Sequence, residues 1–284
     1  MCIVQQAFLN SISWTKQKWD LGRLNRPKHF TMNAIEVNHL SKSYADFEVL
    51  RDISFTIGVG ESIAIIGSNG AGKSTLLKCL TRITEPSQGS INVFGDPILK
   101  FRTGALRRMR SSIGVVFQKH NLVPRLSVLT NVIHGDIGRL HNVSKFPLAG
   151  IRNWGQISAS NRTRKKAMEA LEMVSLSHLA LQRADTLSGG QSQRVAIARA
   201  LMQEPNMILA DEPVASLDPV AANEVMSLFY DLCKNKNITL IFTSHNVEHA
   251  LEYGNKVLAI KNGRLSLFKD SNSIEIKTLQ AEYD

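Results

Sequence analysis

From residue 32 onward the chain alternates short apolar runs with longer amphipathic ones. "AIEVNHL", "LRDISFTI" and "SIAIIG" read as successive strands, and the third leads directly into a glycine-rich loop and a helical "KSTLLKCLTRI". Further apolar strands are predicted at "SIGVVF", "NMILAD", "TLIFTS" and "KVLAIK", most of them separated by helical stretches. Such alternation predicts an α/β core with a largely parallel sheet. Between Gln118 and about Ala200 strands are scarce and helix formers such as "RKKAMEALEMV" dominate, so a helical subdomain is expected over about 119–200, inserted in that core. Asn262-Gly263 is a hairpin signal, and the polar residues at the end are expected to be loosely held. Residues 1–31 show no sustained period of 2 or 3.6 and read as an extension ahead of a domain at 32–284, with Met32 open as an alternative initiator.

A hydrophobic content of 43% over 284 residues supports a substantial core. No uninterrupted apolar run reaches the length of a membrane span, and Met1 to Lys16 lacks the order of a secretion signal, so a cytoplasmic chain is expected. Cys2, Cys79 and Cys233 are scattered and lack metal-ligand spacing; they are expected to be reduced apolar residues. The net charge of +10 is local, because residues 1–31 contribute +4, residues 118–187 contribute +6, and the remainder balances. Anionic lipid headgroups and simple solubility both fit this excess. Nucleic acid is disfavoured, since no basic stretch is interleaved with stacking aromatics.

Four segments carry chemistry. Gly67-Ser68-Asn69-Gly70-Ala71-Gly72-Lys73-Ser74, followed by Thr75, fits the G-x-x-x-x-G-K-[ST] phosphate loop and lies between a strand and a helix, as its mechanism requires. Its backbone N–H groups can face phosphate oxygens, Lys73 can reach the β/γ-phosphates, and Ser74 can offer a hydroxyl to Mg²⁺. "NMILADEP" is an apolar strand ending in Asp211, a candidate for the magnesium shell, and Glu212, placed to orient or deprotonate an attacking water. The same pair can instead cap the next helix. His245 closes "TLIFTSH" at what is expected to be the ligand-binding edge of the sheet. Finally, "TLSGGQSQRVAIARAL" opens a second helix with a Ser-Gly-Gly turn whose free N–H groups suit an anion, although the chain already has one phosphate loop.

In this order the motifs resemble the ATP-binding cassette family of transport ATPases, from Met32 to about Phe268. The resemblance implies a RecA-like phosphate-loop core, an antiparallel β subdomain and an inserted helical signature subdomain. It implies ATP and Mg²⁺ as cofactors, Tyr44 stacking on adenine, and Gln118 linking magnesium to the helical subdomain as part of the catalytic set with Lys73, Glu212 and His245. Ser188, Gly189, Gly190 and Gln191 match the family signature, and Asp218 a dimer-facing loop. Two copies would then pair head to tail, the signature of one completing the nucleotide pocket of the other, on permease subunits at the cytoplasmic face of the inner membrane. A separate solute-binding protein would hold the cargo. Within the family, "NLVPRLSVLTNV", "HGDIG", "IRNWG" and "LADEPVASLDP" resemble the ATP-binding subunits of phosphonate importers, with extra residues around 135–162. An importer ATPase for another small polar solute, or a soluble non-transport cassette, stays open as an alternative. Intact Lys73, Asp211, Glu212 and His245 argue against a scaffold that has lost hydrolysis.

Overall fold

The computed structural model describes residues 33–138 and 158–280. The extension at 1–31, "IRNWG" and most of the 135–162 region therefore lie outside the described residues.

Two sheets share one core. β1 (Asn33–Tyr44) and β2 (Phe47–Gly58) form an antiparallel hairpin, joined by β4 (Gln88–Val93) and the two-residue β5 (Asp96–Pro97) in the order β2-β1-β4-β5. The second sheet contains β3 (Ser62–Ile66), β6 (Ile113–Phe117), β7 (Met207–Asp211), β8 (Thr239–Thr243), β9 (Lys256–Lys261) and β10 (Arg264–Asp270). Its order is β10-β9-β3-β8-β7-β6, parallel from β9 to β6, with β10 added antiparallel through Asn262-Gly263. Both residues of that turn have positive φ, 51° and 76°, the conformation a two-residue hairpin needs.

The parallel strands are continuously apolar because both of their faces are buried. Ile63, Ile65, Met207, Leu209, Ile241, Leu258 and Ile260 face the antiparallel sheet and the helix α1 (Lys73–Leu80). Their alternates Ala64, Ile208, Ala210, Leu240, Phe242, Val257 and Ala259 face the other core. Around that second core lie α3 (Val128–Ile133), α4 (Asn161–Met173), α5 (Gly189–Leu201), α6 (Pro219–Asn235) and α7 (Val247–Tyr253). The exposed helix α2 (Thr103–Ser111) precedes β6.

Three elements differ from the pattern read along the chain. β4 carries only Ile91 and Val93 into the core behind three exposed residues, too few to register as an alternating strand. All six residues of α3 are buried, including Asn131 and Thr130, so this helix has no polar face to mark its period. The tail is also better held than expected: α8 (Ile276–Gln280) seats Leu279 in the core with no exposed surface.

Candidate functional site

In the parallel sheet β8 lies between β3 and β7, so residues far apart in sequence meet at the C-terminal ends of three adjacent strands. The loop leaving β3 owes its shape to two glycines packed from behind. A Cβ on Gly67 would lie 2.2 Å from the Ile260 carbonyl oxygen, and one on Gly72 would lie 2.6 Å from Leu50 Cδ2, while both adopt φ values open mainly to glycine, 144° and 110°. Between them Asn69 and Gly70 are exposed, with open space beside Gly70, and Ala71 turns back into the core.

Lys73 begins α1, and its ammonium is drawn back into the loop. Nζ donates to the carbonyls of Gly67 at 2.7 Å and Ser68 at 3.1 Å, and the residue is only 6% exposed. Desolvation pushes its pKa below the usual lysine range, while the carboxylates of Glu212 and Asp211 oppose that shift. Ser74 follows, donating through Oγ to Asp211 Oδ1 at 3.1 Å, and Thr75 stands beside it, partly buried.

Asp211 Oδ1 also accepts from Thr243 Oγ1 at 2.9 Å, and Thr243 Oγ1 in turn accepts from the Glu212 N–H at 2.7 Å. Thr243 is thus a buried strut joining the two acids to β8, and sequence reasoning missed it. A threonine ending an apolar strand signals β-propensity first, and only its register opposite β7 gives its hydroxyl these partners. Glu212 adopts φ 49°, turning its side chain out of line with the strand, and its Oε1 lies 2.5 Å from Nε2 of His245. Through Thr243, the residues Ser74, Asp211, Glu212 and His245 form one hydrogen-bonded chain, with the Lys73 ammonium within the electrostatic influence of both carboxylates. Gln118 follows the last residue of β6, Phe117, which is paired with Asp211; it is exposed at the same edge.

Ser188 to Gln191 form a second group. Ser188 caps α5, its Oγ accepting from the Gln191 N–H at 3.3 Å, while Gln191 Oε1 accepts from the Ser188 N–H at 2.9 Å. This reciprocal box fixes the turn yet leaves Ser188 and Gly189 exposed. An added Cβ on Gly189 would lie 3.0 Å from Leu217, and one on Gly190 3.8 Å from Ala221. The signature turn thus abuts the start of α6, where Asp218 caps the helix by accepting from the Ala221 N–H at 3.0 Å. Tyr44 stands apart at the tip of the antiparallel hairpin, opposite Phe47, with Lys42 Nζ 4.8 Å from its ring centre.

The segment after Gln118 is bound to the helices. Arg199 of α5 donates to the carbonyls of Asn121 at 2.6 Å and His120 at 2.7 Å. Asn131 of α3 holds Val123 by both its N–H and its carbonyl. Pro124 and Leu126 accept from the N–H groups of Asp185 and Ala184.

A phosphate loop, a strand-end acid pair and a histidine on a parallel sheet, with an antiparallel sheet and a helical segment attached, define a phosphate-loop nucleotide-binding fold. A family model described as ABC transporter matches residues 50–215, more than half of the chain, and the chain belongs to that family. It is 41% identical over 253 residues to phosphonates import ATP-binding protein PhnC 2 of Oceanobacillus iheyensis, covering 89% of this chain and 96% of the relative. It is also 41% identical over 257 residues to phosphonates import ATP-binding protein PhnC of Stutzerimonas stutzeri, covering 88% and 89%. Among solved structures, cbiO1 from Clostridium perfringens, part of an ABC transporter complex, superimposes with TM-score 0.73 at 32% identity, over 85% of this chain and 90% of that one. A dimeric ATP-binding cassette in a post-hydrolysis state, bound to ADP and Pi, superimposes with TM-score 0.71 at 28% identity, over 84% and 100%. The chain has the fold of an ATP-binding cassette. Among the described residues no helix is long and apolar enough to cross a membrane.

Proposed function

We propose that this chain is the ATP-hydrolysing subunit of an importer for phosphonates or closely related phosphorus oxyanions, acting as a homodimer beneath membrane permease subunits. The catalytic reading rests on one observation above all, the 2.5 Å approach of His245 to Glu212 beside a phosphate loop. The cargo reading rests on the relatives named for phosphonate import, which align over most of both chains.

The triphosphate of ATP is assigned to the N–H groups of residues 67–75, at the start of α1, where the helix dipole favours negative charge. Lys73 is held by two carbonyls of the loop, neutral acceptors that a phosphate oxygen can replace with a charged one. Ser74 and Asp211 present hard oxygen donors on one side of the loop, a set that suits Mg²⁺, with Gln118 close by at the end of β6. Magnesium bound there would neutralise developing charge on the phosphates. Glu212 accepts the proton of the attacking water or orients it for in-line attack, and His245 holds that carboxylate and faces the γ-phosphate. Tyr44 stacks on the adenine base.

Ser188 and Gly189 are exposed, and the side-chain hydrogen bonds of Ser188 and Gln191 close on their own turn. This supports an intermolecular role, in which the turn and Asp218, with Gly190 and Gln191, complete the pocket of the second copy. ATP then bridges two protomers until hydrolysis removes the link. Contact with anionic headgroups or acidic permease loops suits the +6 of residues 118–187. The solute itself belongs to a separate binding protein.

The test is ATPase activity of the chain reconstituted with its permease in liposomes, with binding protein loaded with phosphonate, phosphate, phosphite or methionine. Stimulation by phosphonate above the others is the expected result. Preferential stimulation by methionine would move the chain to the amino-acid importers.

A further inference from the structure

The helices α6 and α7 both begin at the site: α6 is capped by Asp218, and α7 is capped by Asn246, the residue after His245. Between their first turns lies a cleft of about 380 Å³, with Met226 and Phe242 among its apolar lining and Glu212 and His245 among its polar lining. A hydrogen bond between side chains joins the two helices there, between His249 Nε2 and Asn223 Oδ1 at 2.6 Å. His249 is 5% exposed, its ring is set edge-on against Tyr253 with centroids 5.7 Å apart, and its backbone N–H completes the Asn246 cap at 3.1 Å. Ser244 and Asn246 are tied together by two further bonds of 3.0 Å. The segment 244–249 that carries His245 is therefore internally tied; farther along, α7 packs on α6 through Tyr253 against Tyr230, ring centroids 5.9 Å apart, and through the shared apolar core, while at the cleft the Asn223–His249 bond links their first turns.

We infer that Asn223 and His249 form a positioning pair that sets the distance between the Asp218 turn and His245, so that engagement of Asp218 by the second protomer is felt at Glu212. Neither residue touches the nucleotide in the proposed site. The inference rests on the proposed ATPase reading and adds to it a route from the dimer face to the hydrolytic pair. Physically, a cleft transmits displacement poorly across its empty width, whereas one short polar bond between the buried His249 ring and Asn223 at the exposed face of α6 spans it as a strut. Desolvation lowers the His249 pKa, with Glu252 and Glu248 opposing, which favours the neutral ring, and its Nε2–H tautomer donates to the amide oxygen.

A double-mutant cycle on the full chain tests this. Asn223→Leu and His249→Phe each remove the bond while keeping the branched or planar shape of the side chain, and His249→Phe keeps a ring against Tyr253. Each is expected to lower kcat for ATP by about tenfold with KM changed less than about twofold, and the double variant to be no slower than the slower single, the non-additivity of a shared interaction. Asn223→Asp retains the acceptor oxygen and is expected to restore kcat to within about threefold of wild type. Independent losses that multiply to about a hundredfold, or unchanged kcat in both single variants with only a lower thermal midpoint, would overturn the pairing. Absence of ATP binding and turnover in the wild-type chain would instead sink the ATPase reading itself.

Discussion

Nε2 of His245 lies 2.5 Å from Oε1 of Glu212, although the two residues are 33 positions apart and follow different strands. The contact exists because β7 and β8 are parallel neighbours and the left-handed backbone at Glu212 swings its carboxylate toward β8. Glu212→Gln retains the shape and the hydrogen-bonding oxygen but loses the basic carboxylate. It is expected to bind ATP, to lose turnover by at least about a hundredfold, and to accumulate as a dimer with ATP and magnesium in light scattering. Turnover near the wild-type rate would remove Glu212 from its assigned role.

If each pocket draws on two copies, defects in opposite halves should complement. Lys73→Ala and Ser188→Arg are each expected to be inactive alone. Mixed at equal concentration, half of the dimers are heterodimers with one intact pocket of two, giving about a quarter of wild-type turnover. No recovery on mixing would indicate pockets built within one chain.

Arg199 holds two carbonyls of the loop that follows Gln118. Hydrogen bonds to a charged group contribute about 1.5–3 kcal/mol each, so Arg199→Met is expected to destabilise the chain by about 3 kcal/mol in urea unfolding and to weaken stimulation by the permease. A loss below about 1 kcal/mol would mean that Asn131 suffices to hold the loop.

Tyr44→Ala is expected to weaken ATP binding by about 1–3 kcal/mol, the scale of one stacked base, with little change in kcat. Tyr44→Phe keeps the ring and should bind ATP as wild type does; isothermal titration separates the two.

Burial pushes the Cys79 thiol up to about 11, against the opposing pull of Lys42, and the Cys233 thiol up to about 12. Both folded values lie above the unfolded one, so their contribution is complete below the ordinary thiol range and is lost as pH rises from about 8.5 toward those values. A thiol-reactive dye at pH 8 should label these two cysteines only after denaturation. The urea midpoint should fall between about pH 9 and 11, and Cys233→Ala should reduce that slope. Rapid labelling of Cys79 or Cys233 in the native chain, located by peptide mapping, would contradict their burial.

The parallel strands are legible along the chain because a strand buried on both faces must be apolar throughout, and the hairpin at Asn262-Gly263 because few dipeptides accept positive φ twice. The phosphate loop is legible for the same kind of reason: Gly67 and Gly72 occupy positions where a side chain collides with Ile260 and Leu50. β4 and α3 are not, since one is mostly exposed and the other wholly buried, and a period needs contrast between two faces.

Residue order alone dictates the local chemistry: which turns carry free N–H groups, which strand ends in two acids, and which helix is capped by Ser188. Those follow from steric and hydrogen-bonding rules acting within a few residues. Folding in three dimensions was needed for Thr243 to brace Asp211 and Glu212, for Arg199 to grip the carbonyls of His120 and Asn121, and for Asn223 to meet His249 across a cleft. Each of these depends on strand order and helix packing, which bring together groups 26 to 79 positions apart, and no short-range pattern encodes such a meeting.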